Sequence, residues 1–341
     1  MSKLSKLMET AAGRNIGADK IVQMRRAFLA QAGLAGAAVI GAGMLNGRRA
    51  QAAQAIYEDP NPKGKEVKHD ASTNDILNFA LNLEYLEAEF YLRATTGSGL
   101  TAADTTGIVS TAAGKEPSVK DVGPGGNVSG GSLVPFTVPV VKQLATDLAS
   151  DELAHVRLLR AALGKYAVAE PTIDLVNSFT NAAIAAGVIE TGDTFNPFLN
   201  DDSFLLGAFI FEDVGVTAYH GAAPYIEAKY LPTAAGLLGT EAYHAGAVRS
   251  MLITRGQTTA TDISIANAIS TLRATADKAA GGAGDDSPVT DSSGNGVFAA
   301  TDANSLVFSR GLDVVLAIVY LGGAVGVGGG FFPKGMNGTI A

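Results

Sequence analysis

The chain has no cysteine, no tryptophan and only four histidines, and charged residues make up just 17% of its 341 positions. Without Cys there is no disulfide framework, no thiol catalysis and no Cys-based zinc site. Hydrophobic residues reach 47%, too many for a chain disordered by composition. Basic residues are scarce after the first segment. Residues 1–52 hold eight Lys/Arg against two Asp/Glu, so the overall charge of −8 leaves the rest with an excess of fourteen negative charges. Phosphate contacts need Lys and Arg, and no nucleic-acid partner is expected. Glycine is abundant, at 41 residues, and much of it falls in loops and near the C-terminus. The length allows one or two domains with ample core.

The basic N-terminus reads as an address. Arg25-Arg26-Ala27-Phe28-Leu29 opens an apolar run from Ala27 to Leu45, and Ala50-Gln51-Ala52 offers a small-x-small cleavage site. This is the order of an export signal. The paired arginines and the weakly apolar, Ala/Gly-rich run resemble a twin-arginine signal, which carries folded proteins across a membrane. Residues 1–52 are expected to be removed, leaving a periplasmic or secreted protein with no stable membrane span. The alternative is a single membrane anchor, since a run of about 20 apolar residues can just cross a bilayer.

Residues 53–71 form a polar N-terminal segment with a turn at Asp59-Pro60-Asn61-Pro62. Helical periodicity then predicts a helix over 76–95, capped by Asn74-Asp75. The Gly/Thr/Ser-rich stretch 97–131 reads as a long loop. Pro139 to Gly164 predicts a second helix, and a short one is expected within 173–186. Asp201-Asp202-Ser203 caps a third helix to about Tyr219, with Pro224 kinking or ending it and helix continuing to about Lys229. Pro232 starts a fourth, ending near Arg255-Gly256, and a fifth covers 263–280. The last 60 residues are irregular, with one strand or short helix near 314–321. Residues 72–257 are thus expected to form a four-helix bundle, and 258–341 a C-terminal helix and Gly-rich tail.

Four of these helices carry a Glu on an apolar stretch: Glu84, Glu152, Glu212 and Glu241. Two of the four continue as Glu-x-x-His, giving His155 and His244. Residues i and i+3 lie one turn apart on one helix face, so Glu and His can reach the same ion. Four carboxylates balance two divalent cations, whereas without cations they would repel one another in a dry interior. Glu84 and Glu212 are each followed seven residues later by a tyrosine, Tyr91 and Tyr219, two turns along the same face. The bundle thus reads as two copies of one helix pair. Glu87 is the rival to Glu84 as ligand; otherwise Glu87 and Glu89 face solvent or support the ligands. Tyr91 and Tyr219 either orient ligand carboxylates or handle electrons and protons, or are core aromatics. Asp151 and Asp147 either support a histidine or lie on exposed faces. His220 turns away from the Glu212 stripe, and His69 precedes the bundle. The glycines 322–330 lack the flanking strand and Lys of a phosphate loop and are expected to serve close backbone packing or flexibility.

The interleaved order Glu, Glu-x-x-His, Glu, Glu-x-x-His resembles the ferritin-like di-iron and di-manganese carboxylate bundles. The stretches 77–92, Asp151 to Arg160, Phe211 to Tyr219 and Glu241 to His244, with the closing 318–323 and 330–333, are similar to exported bacterial ferritin-like-domain proteins related to plant desiccation-associated proteins. The resemblance implies an all-α, ferritin-like four-helix bundle with a long insertion after its first helix and an irregular C-terminal extension. It implies two metal ions, iron first and manganese as the alternative, at Glu84, Glu152, His155, Glu212, Glu241 and His244. It implies redox chemistry with O2 or H2O2: a ferroxidase or peroxide-linked oxidoreductase in stress protection, a dimanganese catalase, or a non-enzymatic protective protein. The insertion and tail depart from compact iron-storage cages, and a homo-oligomer is compatible with the pattern.

Overall fold

The computed structural model describes residues 71–109, 118–257, 260–322 and 327–340. The expected export signal, most of the polar segment after it and His69 lie outside the described residues.

Helix α1 (Thr73–Thr96) starts at Ser72. The Ser72 hydroxyl accepts from Asp75 N–H, and the Asp75 carboxylate accepts from Ser72 N–H at 2.8 Å. Asp75 is therefore the third helical residue of a capping box rather than the cap itself. The helix stops at Gly97, whose φ of 77° suits a residue without Cβ. Within the insertion, α2 (Ala102–Thr105) precedes β1 (Gly107–Ile108), which pairs antiparallel with β2 (Val122–Gly123). Helix α3 (Pro139–Leu163) has its proline in the first turn, where no N–H is needed.

The chain then crosses over. β3 (Val128–Ser129) pairs in parallel with β4 (Ile173–Asp174). Residue 173 is thus strand rather than helix, and α4 (Asn177–Ala185) begins after Asp174 accepts from the N–H groups of Val176 and Asn177. Helix α5 (Asp201–Ala222) is capped by Asn200, which accepts from Ser203 N–H. Asp201 instead receives Thr137 and Val138 N–H, tying the start of α5 to the start of α3. Pro224 ends the helix outright, and two 3-10 turns replace the expected continuation. Helix α6 (Leu231–Gly256) again carries proline in its first turn.

The four long helices pack as the pairs α1–α3 and α5–α6. Asn78 bonds to Tyr166 and Val168, and Val134 to Ala94, so α1 and α3 run antiparallel. Asp202 with Arg255 and Asp213 with Arg249 make α5 and α6 antiparallel too. Tyr219 with Glu84 and Tyr91 with Glu212 make α1 and α5 antiparallel as well. The order is therefore up, down, down, up. α3 and α5 point the same way, which is why residues 164–200 must travel the bundle's length between them.

Helices α7 (Ala260–Ala279) and α8 (Leu312–Val319) close one side, packing on α5 and on each other. Phe90, Phe179, Phe198, Phe204, Phe211 and Phe331 form a buried ring cluster, with Phe90 5.2–5.6 Å from four of the others. The tail is sewn to α1: Asn82 donates to Asn337 O and accepts from Asn337 N–H. Gly328 and Gly330, with φ of 87° and 46°, lie against backbone and serve close packing, whereas Gly322 faces open space. Three buried arginines, Arg249, Arg273 and Arg310, meet three buried aspartates, Asp213, Asp277 and Asp286, at 2.7–2.9 Å. This balanced network joins α5, α6 and α7 to the 285–310 segment. No helix among the described residues is long and apolar enough to cross a membrane.

Candidate metal centre

The bundle brings the six expected side chains to one place. Glu84 from α1, Glu152 and His155 from α3, Glu212 from α5, and Glu241 and His244 from α6 are all buried. Two groups form. Glu84, Glu152, His155 and Glu241 each offer an atom within 4.8 Å of the others, and so do Glu152, Glu212 and His244. Glu152 is common to both: its Oε2 lies 3.1 Å from His155 Nδ1 and its Oε1 3.0 Å from His244 Nδ1.

The donor atoms face one another without satisfying one another. Glu84 Oε2, Glu152 Oε1, Glu212 Oε2, both oxygens of Glu241 and His244 Nδ1 are buried without a hydrogen bond. A buried unsatisfied carboxylate oxygen is expensive. Five such groups converging from four helices fit a site that receives cations. Gly215 makes room for it, because a Cβ there would come within 2.2 Å of Glu241 Oε2.

The electrostatics agree. Burial and the nearby Glu152 push Glu84 up to about 8, and burial with the surrounding carboxylates holds Glu241 well above the usual range. Burial works against the histidines, yet the facing carboxylates of Glu152 and its neighbours carry His155 up to about 10 and His244 up to about 12. Glu152, despite burial, is held low by both imidazoles.

The two tyrosines swap partners. Tyr91 on α1 donates to Glu212 Oε1 on α5, and Tyr219 on α5 donates to Glu84 Oε1 on α1. Each thereby occupies one oxygen and leaves Oε2 turned to a histidine, 3.2 Å for Glu84 and 3.3 Å for Glu212.

A ferritin-like domain model matches residues 72–254. The chain belongs to that ferritin-like family. The desiccation-related protein PCC13-62 of Craterostigma plantagineum is 31% identical over 193 residues, 55% of this chain and 56% of that protein. The ferritin-like catalase Nec2 of Nesocodon mauritianus is 27% identical over 286 residues, 80% of this chain and 86% of that one. The chain thus spans just over half the length of the first relative and most of the second. No solved structure matches significantly.

Around the ferritin-like site, the remaining sequence expectations separate. Asp151 Oδ2 lies 3.1 Å from His244 Nε2, so it takes that N–H and leaves the Nδ1 lone pair for the cluster. Asp147 is exposed and bonds only to Gln143. His220 Nδ1 meets the carbonyls of Val307 and Phe308, bracing the C-terminal segment away from the site. Neither Glu87 nor Glu89 faces solvent: both are buried, at 6% and 1% exposure. Glu89 pairs with Arg93 and accepts from Leu100 N–H, anchoring the insertion. Glu87 makes no hydrogen bond among the described residues. The sequence held one signal for these: on a helix this apolar, both faces are covered.

Proposed function

We propose that this ferritin-like chain is an exported redox protein that holds two divalent metal ions, iron or manganese, and consumes hydrogen peroxide. One observation carries the reading: unsatisfied oxygens and nitrogens from four helices divide into two groups sharing Glu152. Four carboxylates neutralise two such ions, and mixed oxygen and imidazole donors suit iron and manganese. Similarity to a protein named as a ferritin-like catalase, across 80% of this chain, supports peroxide as substrate. The twin-arginine signal read in residues 1–52 supports export in the folded state.

When bound, such a pair supplies two electrons to one peroxide and takes two from the next, so that two H2O2 give two H2O and one O2. The protein's own groups set the stage. His155 and His244 fix one end of each group, and Glu152 spans them. Tyr219 and Tyr91 hold Glu84 and Glu212 by one oxygen, so the free oxygen is presented without reorganisation. Asp151 fixes the His244 ring and its tautomer. Phe90 and Phe204 pack on the Tyr91 ring at 5.0 and 5.9 Å, which holds the Tyr91–Glu212 contact in apolar surroundings.

The test is oxygen exchange by the purified protein loaded with iron or with manganese. O2 release from H2O2, lost with Glu152→Gln, is the expected result. O2 uptake with added Fe(II) and no peroxide turnover would assign a ferroxidase instead. About two bound metals with neither activity would leave a metal-stapled structural protein and refute the reading.

A further inference from the structure

The two helix pairs repeat each other closely enough for their registers to be compared. Glu84 matches Glu212, and Tyr91 matches Tyr219. The position three residues after each Glu breaks the repeat: α1 has Glu87 where α5 has Gly215. These two unlike residues lie together. Both line a cavity of about 20 Å³ between α1, α5 and the C-terminal segment. Its other walls are apolar, among them Leu83, Phe211, Val214 and Phe331.

Gly215 is where the cavity meets the metal centre. Its missing side chain lets Glu241 Oε2 close onto the helix backbone, 2.2 Å from where any other residue would carry a Cβ, so only the Gly215 backbone separates the cavity from a carboxylate of the centre. Glu87 is the single polar side chain in the lining, is 94% buried by its 6% exposure, and has no hydrogen-bond partner among the described residues. A carboxyl lining an otherwise apolar hollow, with no protein group bonded to it, is open to a small polar ligand.

Resting on the peroxide reading above, we propose that this hollow is the substrate pocket and that Glu87 is the group that binds the peroxide. The volume takes a molecule little larger than water, which admits H2O2 and excludes organic hydroperoxides. A carboxyl serves peroxide in either protonation state, accepting an O–H or giving one. A peroxide held there lies between Glu87 and Gly215, whose backbone borders Glu241 of the centre. The asymmetry gives the pseudo-symmetric bundle one approach side.

Glu87→Leu and Glu87→Gln in the full protein test this, by metal content, thermal melting and peroxide kinetics. Glu87→Leu should keep about two metals and melt at or above the wild type, since an unpartnered carboxyl is replaced by an apolar side chain. Its kcat/KM for H2O2 should fall about tenfold or more, the scale of one lost hydrogen bond to a polar ligand. Glu87→Gln, which still bonds, should recover most of the loss. Loss of a metal in Glu87→Leu would make Glu87 a ligand and overturn the assignment. So would a lower melting temperature with unchanged kinetics, which would make it structural. An inactive wild type would sink the peroxide reading and the pocket together. An active wild type with an equally active Glu87→Leu would sink the pocket alone.

Discussion

Glu84→Gln should stabilise the metal-free protein and destabilise the metal-loaded one. Glu84 is buried, gives Oε1 to Tyr219 and leaves Oε2 without a hydrogen bond. Its pKa rises from 4.5 to about 8, first through burial and then through Glu152. A carboxyl with a raised folded pKa contributes its full stability below the unfolded value of 4.5 and loses it as pH climbs to about 8. At pH 7 the unfolded chain has released a proton that the folded chain keeps, a difference of about 3 kcal/mol. Glutamine keeps an oxygen for Tyr219 and removes this term. For a domain of this size the gain corresponds to a rise in melting temperature of roughly 6–12 °C. The rise should be largest at pH 8 and nearly vanish at pH 4.5. Metal reverses the order, because the variant has lost a ligand. Melting curves in chelator and in excess Mn(II), at the two pH values, decide the matter. A metal-free Glu84→Gln that melts at or below the wild type at pH 8 would refute the claim that this cluster is a cation site lacking its cations.

Two further expectations follow from the geometry. Glu152 belongs to both donor groups and Glu212 to one, so Glu152→Gln should bind no metal and Glu212→Gln about one per chain, measured by elemental analysis; equal stoichiometry in the two variants would contradict the shared role. Arg273→Met should cost about 3–5 kcal/mol and on the order of 10 °C in melting temperature, because Asp213 and Asp286 each lose a buried partner; a drop below about 2 °C would show the network to be dispensable.

The site was more legible in the sequence than its surroundings. Glu-x-x-His at helical spacing depends only on local geometry, and helices α1, α3, α5 and α6 are fixed by caps, prolines and periodicity that also act locally. Errors appeared where distant chain decides. Ile173 looked helical by composition, but Val128 claims it as a strand partner. Asp213 follows Glu212 in sequence, but its carboxylate is fixed by Arg249 and Arg273 from two other helices, which no local pattern announces. Glu87 and Glu89 left solvent open as one of two readings, and beyond the helix's apolar character only distant chain decides against it. The exchange of Tyr91 and Tyr219 between pairs was unreadable for the same reason: seven-residue spacing places a tyrosine on a face but not opposite a partner.

The arginine network also bears on what can be cut away. The family match stops at residue 254, but Arg249, inside it, bonds to the carbonyls of Ser287, Pro288 and Val297 beyond it. Asp213, which Arg249 holds, sits next to Glu212 of the metal centre. A fragment trimmed to the matched span would leave Arg249 with Asp213 alone, its three carbonyl partners gone, and Asp213 without Arg273, one residue from a ligand. Portability between proteins, which a recurring domain suggests, is here forfeited to the tail, and grafts or truncations should carry residues up to the Asn337 clasp on α1.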